Sequence, residues 1–240
     1  MKIKAEIEKT GYQINDNYLT LEQCKHFLKL IDDYRKNHKV PNVYRQSRER
    51  SLDYFVIDGV QIKQHLPEVW QIYHNVNNIV NELSGQKLVP LANQRVGVNI
   101  NIMSSGGEYR WHYDRNFVTV LLYLNEVKKG GELEMCPNYR LYINQQKYTF
   151  IQKYFDYLFQ LKIIRNLFGN QINVKPSSGR ILIMLGDRCL HSVQALEGND
   201  ERINIVMSYD IPGKNFPIEK QLDSYLYTQE EKYSSDPNYL

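Results

Sequence analysis

The sequence predicts a mainly β fold, a sandwich or barrel with flanking helices, and two observations carry this prediction. From Arg95 onward, apolar and polar residues alternate with a period of two, in short runs separated by turns rich in glycine and asparagine. Before that point, apolar residues recur about every 3.6 residues, which is typical of helices packed against a core. Many short strands without interleaved helices favour packed antiparallel sheets over a parallel α/β sheet.

Two helices are predicted in the first part of the chain. Thr20 and Gln23 have the spacing of a capping box, so the first helix begins there and ends near Asn37. Its apolar stripe consists of Leu21, Cys24, Phe27, Leu28, Ile31 and Tyr34. The second helix spans about 66–83 and ends at Gly85, because glycine is a usual helix stop. Its inward positions are Val69, Ile72, Tyr73, Val76, Ile79 and Val80.

Six strands are predicted in the second part, where the period is two. They are Val96–Met103, Val118–Asn125, Glu132–Met135, Arg180–Leu185, Ser192–Leu196 and Arg202–Tyr209. Between the third and fourth strands, Lys147–Phe168 is aromatic and helix-like, which indicates a helical insertion over about 137–173. Such an insertion packs on the barrel, covers its mouth or meets a second subunit. The sequence does not decide between these roles, and a homodimer through the inserted helix is one of the possibilities.

We expect a single domain over residues 1–240. Within it, residues 1–94 are a mainly helical N-terminal support, and residues 95–211 are the β core with its insertion. Residues 212–240 are expected to form a C-terminal tail, because the stretch from Asp223 is polar and carries tyrosines. A length of 240 residues and a hydrophobic content of 42% suit one sizeable core.

Composition excludes several partners and predicts a compartment. The net charge of +3 and the dispersed lysines and arginines do not favour nucleic acid. No run approaches the ~18 apolar residues of a membrane span, and the N-terminus lacks the apolar region of a secretory signal. The three cysteines, at 24, 136 and 189, are odd in number and widely spaced, which favours a reducing compartment. The expected location is the cytoplasm.

The segment Trp111–Asp114 carries the first candidate for chemistry. In a strand, His112 and Asp114 would project from the same side and could hold two adjacent positions of a metal ion. One further histidine would complete the two-histidine, one-carboxylate face that is typical of iron(II). His191 is the candidate, because it follows a predicted strand and turn and opens the next strand. An isolated His-x-Asp is a weak signal by itself.

Arg202 is the second candidate. It begins a strand in which Arg202, Asn204, Val206 and Ser208 share one face. A guanidinium within an otherwise apolar sheet favours a carboxylate partner held in a bidentate pair. A surface salt bridge is the alternative interpretation.

Taken together, these motifs resemble the Fe(II)/2-oxoglutarate-dependent dioxygenases, especially their prolyl-4-hydroxylase-like branch. The resemblance rests on His112-x-Asp114, on His191 and on Arg202. Four neighbouring segments agree with it: Val118–Asn125, Gly130–Leu133, Pro176–Arg180 and Leu190–Val193. It covers about half of the chain, from Val96 to Ile211, and leaves the helical start and the insertion outside.

The resemblance implies a double-stranded β-helix, or jelly roll, with the metal at its open mouth. It implies that His112, Asp114 and His191 bind Fe(II), and that 2-oxoglutarate and O2 take the remaining positions. Arg202 and Tyr123 would hold the distal carboxylate of 2-oxoglutarate. Thr119 would line the pocket, with Leu133 and Val193 as apolar walls. Relatives often carry a tyrosine where this chain has Asn99 and Asn101, so either asparagine could bond the cosubstrate or the substrate.

The implied activity is oxidation of an unactivated C–H bond, most often hydroxylation, with succinate and CO2 as coproducts. A single domain favours a small molecule such as an amino acid or a natural-product intermediate. Two alternatives stay open: a peptidyl, prolyl-type hydroxylase, and a non-catalytic barrel that senses metal and 2-oxoglutarate. Asp114 argues against a halogenase, since halogenating relatives have a small residue there. Arg110, Arg115 and Arg188 either meet an anionic group of the substrate or are solvated rim charges.

Overall fold

The computed structural model describes residues 7–45, 52–142 and 150–213, and over these ranges two antiparallel sheets dominate the structure. In chain order the elements are β1 (Tyr12–Asn15), α1 (Leu21–Asn37), β2 (Asn42–Arg45), β3 (Leu52–Ile57), α2 (Gly59–His65), α3 (Pro67–Ser84), β4 (Val89–Pro90), α4 (Gln94–Gly97), β5 (Val98–Met103), β6 (Tyr109–His112), β7 (Val118–Tyr123), β8 (Lys129–Gly130), β9 (Leu133–Cys136), α5 (Phe150–Gln160), α6 (Lys162–Phe168), β10 (Ile172–Val174), β11 (Ile181–Leu185), β12 (Leu190–Val193), β13 (Leu196–Glu197) and β14 (Arg202–Asp210).

The larger sheet has the strand order β1-β11-β7-β14-β5-β3-β2, and β4 pairs with the end of β14. The smaller sheet has the order β10-β9-β12-β6, while β8 and β13 form a separate short pair. Neighbours in both sheets are distant in sequence, as in β6 beside β12 and β7 beside β14. This topology brings the middle and the end of the chain together.

Each central strand of the larger sheet has two different faces. On β5, Val98, Ile100 and Ile102 are fully buried and belong to the same apolar cluster as the helices α1 and α3. Asn99 and Asn101 lie on the opposite face, as strand alternation requires, and line a cavity between the sheets. The helices therefore support the sheet from outside and leave its inner face for a site.

The two predicted long helices are confirmed. In α1 the capping box is formed, because Thr20 Oγ1 accepts from Gln23 N at 3.2 Å and Thr20 N donates to Gln23 Oε1 at 2.9 Å. Helix α3 ends at Gly85, whose φ of 58° is the left-handed conformation that favours glycine. One stripe position was wrong: Leu21 is 64% exposed, because it occupies the first turn ahead of the packed face.

The helical interpretation of the first 94 residues missed three strands of the larger sheet. Strands β1, β2 and β3 lie in this part of the chain, and β1 pairs with β11 while β3 pairs with β5. Two of them have only four residues, so their alternation is too short to detect in a sequence. Pairing stabilises them instead: β1 and β3 pair with strands more than 40 residues away, and β2 pairs with β3.

Smaller differences concern the ends of predicted elements. Val96 lies in the short helix α4, so the following strand begins at Val98. The predicted strand Ser192–Leu196 is divided into β12 and β13, and the predicted insertion helix is divided into α5 and α6. Strand β10 occupies the end of the predicted insertion and pairs with β9. The predicted tail over 212–240 lies almost entirely outside the described residues.

Within the described ranges, no helix is both long enough and apolar enough to cross a bilayer.

Candidate metal centre

The two predicted histidine ligands face each other across neighbouring strands. His112 on β6 is the register partner of His191 on β12, and their ring centroids are 4.2 Å apart. Antiparallel pairing of β6 and β12 therefore joins residues that are 79 positions apart in the chain. Their potential ligand atoms and those of Asp114 all lie within 4.8 Å of one another.

Asp114 reaches this position from a loop and not from a strand. Strand β6 ends at His112, so the expectation that both residues share one face of a strand was wrong for the carboxylate. The loop is fixed by Asp114 N, which donates to Gly186 O at 3.0 Å. The carboxylate oxygens lie 3.3 Å from His112 Nε2 and 3.7 Å from His191 Nε2.

Backbone carbonyls orient both imidazoles. His112 Nδ1 is 2.9 Å from the carbonyl of Arg110, and His191 Nδ1 is 3.0 Å from the carbonyl of Cys189. Because a carbonyl only accepts, Nδ1 of each ring must donate, and Nε2 of a neutral ring then carries the lone pair. In both rings that lone pair lies on the side of Asp114, which is the orientation that a metal ligand requires.

A short hydrogen-bond chain holds the carboxylate. Thr119 Oγ1 donates to Asp114 Oδ2, and Asn116 Nδ2 donates to Thr119 Oγ1 at 2.8 Å. A Cβ on Gly186 would lie 2.5 Å from Thr119 Oγ1 and 3.0 Å from Asp114 Cβ, so a larger residue would disrupt this chain. The sequence analysis missed the roles of Asn116 and Gly186, because contacts between loops leave no periodic signal.

The site holds the protonation states that metal binding needs. Burial raises the pKa of Asp114, but the neighbouring His191 and His112 and the hydrogen bond from Thr119 outweigh burial and lower that pKa to about 2. Burial and the neighbouring His112 lower the pKa of His191 to about 4. At neutral pH the carboxylate is therefore ionised and the buried imidazole is neutral, which is the form that coordinates metal ions.

A cavity of about 150 Å³ lies between the two sheets and contains these three residues. The smaller sheet contributes Leu133 and Val193 as apolar lining, as predicted. The larger sheet contributes most of the polar lining, namely Asn99, Asn101, Thr119, Arg202, Asn204 and Ser208. The predicted metal ligands and the predicted anion-binding arginine therefore share one cavity.

Arg202 is buried in the wall of this cavity, with 3% of its surface exposed. Its Nη1 donates to Asn204 Oδ1 at 2.7 Å, and its Cζ lies 5.2 Å from the centroid of the Tyr123 ring. Among the described residues, no carboxylate lies within 4.0 Å of this guanidinium, and its buried Nε has no hydrogen-bond partner. A buried cation of this kind is suited to a carboxylate that comes from a ligand.

The other predicted residues divide into three groups. Tyr123 is fully buried next to Arg202 and is not part of the cavity lining, and burial raises the pKa of its hydroxyl although the charge of Arg202 opposes this effect. The two candidate asparagines, Asn99 and Asn101, both line the cavity. Oδ1 of Asn101 is buried without a hydrogen-bond partner. Arg110 and Arg115 line the cavity, whereas Arg188 lies outside it, 6.0 Å from the ring of Phe117.

Comparison with known families gives a match to the model of the 2OG-Fe(II) oxygenase superfamily over residues 98–209. This segment includes all three metal-ligand candidates and the buried arginine. A search among curated protein sequences gave no match.

Solved structures share the fold at low sequence identity. The carbocyclase SnoK of nogalamycin biosynthesis, described as non-heme and alpha ketoglutarate dependent, aligns with a TM-score of 0.67 and 11% identity, over 88% of this chain and 83% of its own. HygX from Streptomyces hygroscopicus, solved with nickel, 2-oxoglutarate and hygromycin B, aligns with a TM-score of 0.61 and 9% identity, over 88% of this chain and 87% of its own. A Pseudomonas putida prolyl-4-hydroxylase aligns with a TM-score of 0.56 and 14% identity, over 88% of this chain and 98% of its own. The predicted mainly β fold with a jelly-roll core and flanking helices is confirmed.

Proposed function

Because the chain belongs to the 2OG-Fe(II) oxygenase superfamily, we propose that His112, Asp114 and His191 bind its Fe(II) and that Arg202 anchors its 2-oxoglutarate. The protein is a 2-oxoglutarate-dependent non-haem iron dioxygenase. On this proposal residues 1–240 work as one oxygenase domain, with the core over 95–211 and a mainly helical support before it. A reducing compartment such as the cytoplasm fits the three cysteines, which are buried and unpaired.

One observation carries the metal assignment: three ligand atoms of the right chemistry converge in one cavity. The two Nε2 atoms and the Asp114 carboxylate lie within 4.8 Å of one another. Two imidazoles and one carboxylate are the ligand set of non-haem Fe(II) oxygenases, and three ligands leave positions for other molecules. When bound, the iron and 2-oxoglutarate supply the oxidation of a C–H bond by O2, with release of succinate and CO2.

The chain's own residues position and shield these reactants. Thr119 and Asn116 hold the carboxylate of Asp114, and Arg110 O and Cys189 O hold the two rings, so the ligands keep one orientation. The inner faces of both sheets surround the site and limit the access of water.

The anchor for 2-oxoglutarate is assigned to the buried wall around Arg202. We assign the distal carboxylate to the guanidinium, with Asn204 fixing its orientation, while the ring of Tyr123 contacts the same guanidinium from outside the cavity lining. Leu133 and Val193 would contact the methylene groups of the cosubstrate. Asn101 lies on β5 directly opposite Asn204, so its amide is suited to bond the cosubstrate or the substrate.

The proposed reaction is hydroxylation of a small molecule, such as an amino acid or a natural-product intermediate. The similarity to the carbocyclase SnoK and to HygX supports this choice, because these structures have the higher TM-scores. A peptidyl substrate is the second candidate, since a prolyl hydroxylase from Trichoplax adhaerens, solved with a hypoxia inducible factor peptide fragment, aligns over 87% of both chains with a TM-score of 0.56 and 18% identity.

The test is succinate formation from 2-oxoglutarate by the Fe(II)-loaded protein, together with mass-spectrometric detection of one added oxygen in small molecules and in proline-containing peptides. We expect succinate release that the His112→Ala substitution abolishes and that His74→Ala, at an exposed histidine of α3, leaves unchanged. Full turnover in His112→Ala would refute the metal assignment. Binding of metal and 2-oxoglutarate without any succinate would favour the sensor alternative, and oxygen added only to peptides would favour the second substrate class.

A further inference from the structure

Helix α5 buries polar side chains and exposes large apolar ones. Its two most buried side chains are polar, since Gln152 and Asp156 are only 1% and 3% exposed, although Phe159 on the same side packs against Tyr139. Its outward stripe is apolar, since Phe150 is 84% exposed and Tyr154 is 58% exposed. A surface helix normally turns its apolar stripe toward the core and its polar face to water. The outward face of α5 is therefore built to contact something other than its own barrel.

Buried ion pairing fixes this helix to the barrel. Arg140 donates through Nε to Asp156 Oδ1 at 3.0 Å and through Nη1 to Asp187 O at 3.2 Å. The guanidinium of Arg140 also lies 4.8 Å from the ring centroid of Tyr113 and 5.1 Å from that of Tyr142. The apolar face is consequently presented in one orientation, which lowers the entropic cost of covering it.

Helix α6 follows α5 directly in the chain, also exposes apolar side chains, and has its own anchor. Arg165 is buried, with its Cζ 3.9 Å above the ring of Trp111 on β6. On the outer side, Ile163 is 73% exposed and Leu167 is 70% exposed, one helical turn apart. Both helices thus bury a polar or cationic side chain against the barrel and expose several large apolar ones, while Lys162 and Asn166 of α6 are exposed as well.

The apolar surface of the two helices has the size of a protein interface. Its members, called here the insertion face, are Phe150, Ile151, Tyr154, Tyr157, Leu161, Ile163, Leu167 and Phe168, each between 41% and 84% exposed. With about 150–200 Å² for each fully exposed side chain, the insertion face offers on the order of 1,000 Å². The largest apolar patch of a typical monomer is about 300–600 Å², whereas a stable interface buries about 800 Å² on each partner.

We propose that the insertion face is a homodimer interface, covered by the same face of a second copy of this chain. The eight members of the insertion face are uncharged, and Lys162 is the one exposed cation among the described side chains of the two helices, so two copies can meet on a twofold axis with little like-charge repulsion. A membrane surface is disfavoured, because membrane-binding helices carry a lysine- and arginine-rich polar face toward water. Here a single described lysine is exposed, and the other cation, Arg165, is buried on the barrel. The dimer interface is independent of the substrate and of the metal.

The test is the molecular mass of the full chain in solution, measured by sedimentation velocity across a range of concentrations. We expect twice the mass of the chain at micromolar concentration. Ile163→Glu and Phe150→Glu should each raise the dissociation constant of the dimer by roughly 30-fold or more, because each places a charge in the centre of an apolar contact. Leu21→Glu is the matched control, since Leu21 is an equally exposed leucine on α1 and lies outside the insertion face.

Each outcome of this experiment decides the proposal. Circular dichroism and the thermal midpoint of each variant establish that it is folded, and Leu167→Lys replaces any variant that is not. A monomeric wild-type chain overturns the proposal, and so does a dimer that survives substitution of the insertion face. Co-sedimentation of a monomer with phosphatidylcholine–phosphatidylserine vesicles, lost in Ile163→Glu, would overturn it in favour of a membrane surface.

Discussion

At the scale of single residues, the site depends on side chains whose environment prepares them for one role. Arg202 is buried without a carboxylate partner among the described residues, and the histidines keep Nε2 free by donating from Nδ1. Burying an unpaired cation costs free energy that hydrophobic packing would not recover. A burial of this kind is explained by the proposed ligand role of Arg202 better than by a contribution to stability.

The first prediction concerns Arg202. On the proposed anchor, Arg202→Ala deprives the distal carboxylate of 2-oxoglutarate of its charged partner, which costs about 3–5 kcal/mol, or a loss of affinity of about 150- to 4,000-fold. The measurement is calorimetric titration of the Mn(II)-loaded protein with 2-oxoglutarate in the absence of turnover. Arg95→Ala, at a half-exposed arginine paired with Asp58, should bind as the wild type does. An unchanged affinity in Arg202→Ala would show that the anchor is misassigned.

The second prediction concerns Thr119, whose hydroxyl holds Asp114. Thr119→Val keeps the shape of the side chain but removes the donor, so we expect metal affinity to fall by about 10- to 100-fold. Thr119→Ser restores the hydroxyl and should retain most of the affinity. The measurement is anaerobic titration with Co(II), followed by its absorption spectrum. Equal Co(II) affinities in the valine and serine variants would show that the hydrogen bond is not used.

At the scale of elements, a buried ion pair and its hydrogen bonds join the insertion to the barrel. Arg140 and Asp156 connect the loop after β9 to α5, with side chains that are 12% and 4% exposed. A buried ion pair contributes little net stability compared with apolar residues, yet its loss is costly when one charge remains. The pair therefore fixes where α5 lies more than it stabilises the fold.

The third prediction tests this pair. Asp156→Ala leaves the guanidinium of Arg140 buried without its carboxylate, and we expect the free energy of unfolding to fall by about 3–5 kcal/mol. The double substitution Arg140→Met with Asp156→Leu should recover most of this loss, since no unpaired charge remains. Urea unfolding measures both. Asp33→Ala, in an exposed pair with Lys29, is the control and should change stability by less than about 1 kcal/mol.

At the scale of the whole molecule, the metal-free site should make stability depend on pH. The pKa of His191 is about 4 in the folded protein and about 6.5 in an unfolded chain. Between these values only the unfolded chain binds the proton, so acidification favours unfolding. Asp114, with a folded pKa of about 2, acts in the same direction below its ordinary pKa of 3.8.

The fourth prediction follows from His191. With a chelator present, we expect the free energy of unfolding to fall by about 1–2 kcal/mol between pH 7 and pH 5 because of this residue. Urea unfolding at both values, for the wild type and for His191→Asn, isolates the contribution, since the other titratable groups are common to both proteins. Identical pH dependence in the two proteins would contradict the assignment.

Sequence reasoning reached much of this site because strand alternation is strict. The alternation from Arg202 to Ser208 predicted the residues that share one face of β14, and they line the cavity, as do Asn99 and Asn101, which the family resemblance indicated. The capping box at Thr20 and the left-handed Gly85 likewise follow from local chemistry. The motifs of the middle and end of the chain, read together, predicted the family.

The tertiary structure alone decided the features that depend on distant contacts. The four-residue strands β1 and β2 exist because another strand pairs with them, and no local pattern of that length indicates a strand. Asp114 lies in a loop, and its direction is set by Gly186 and Thr119 from other elements. The outward apolar face of α5 also follows from a buried pair with Arg140, because periodicity gives an amphipathic helix but not the side that packs. The sequence determined the chemistry and the local elements of this protein, while long-range packing determined how they meet.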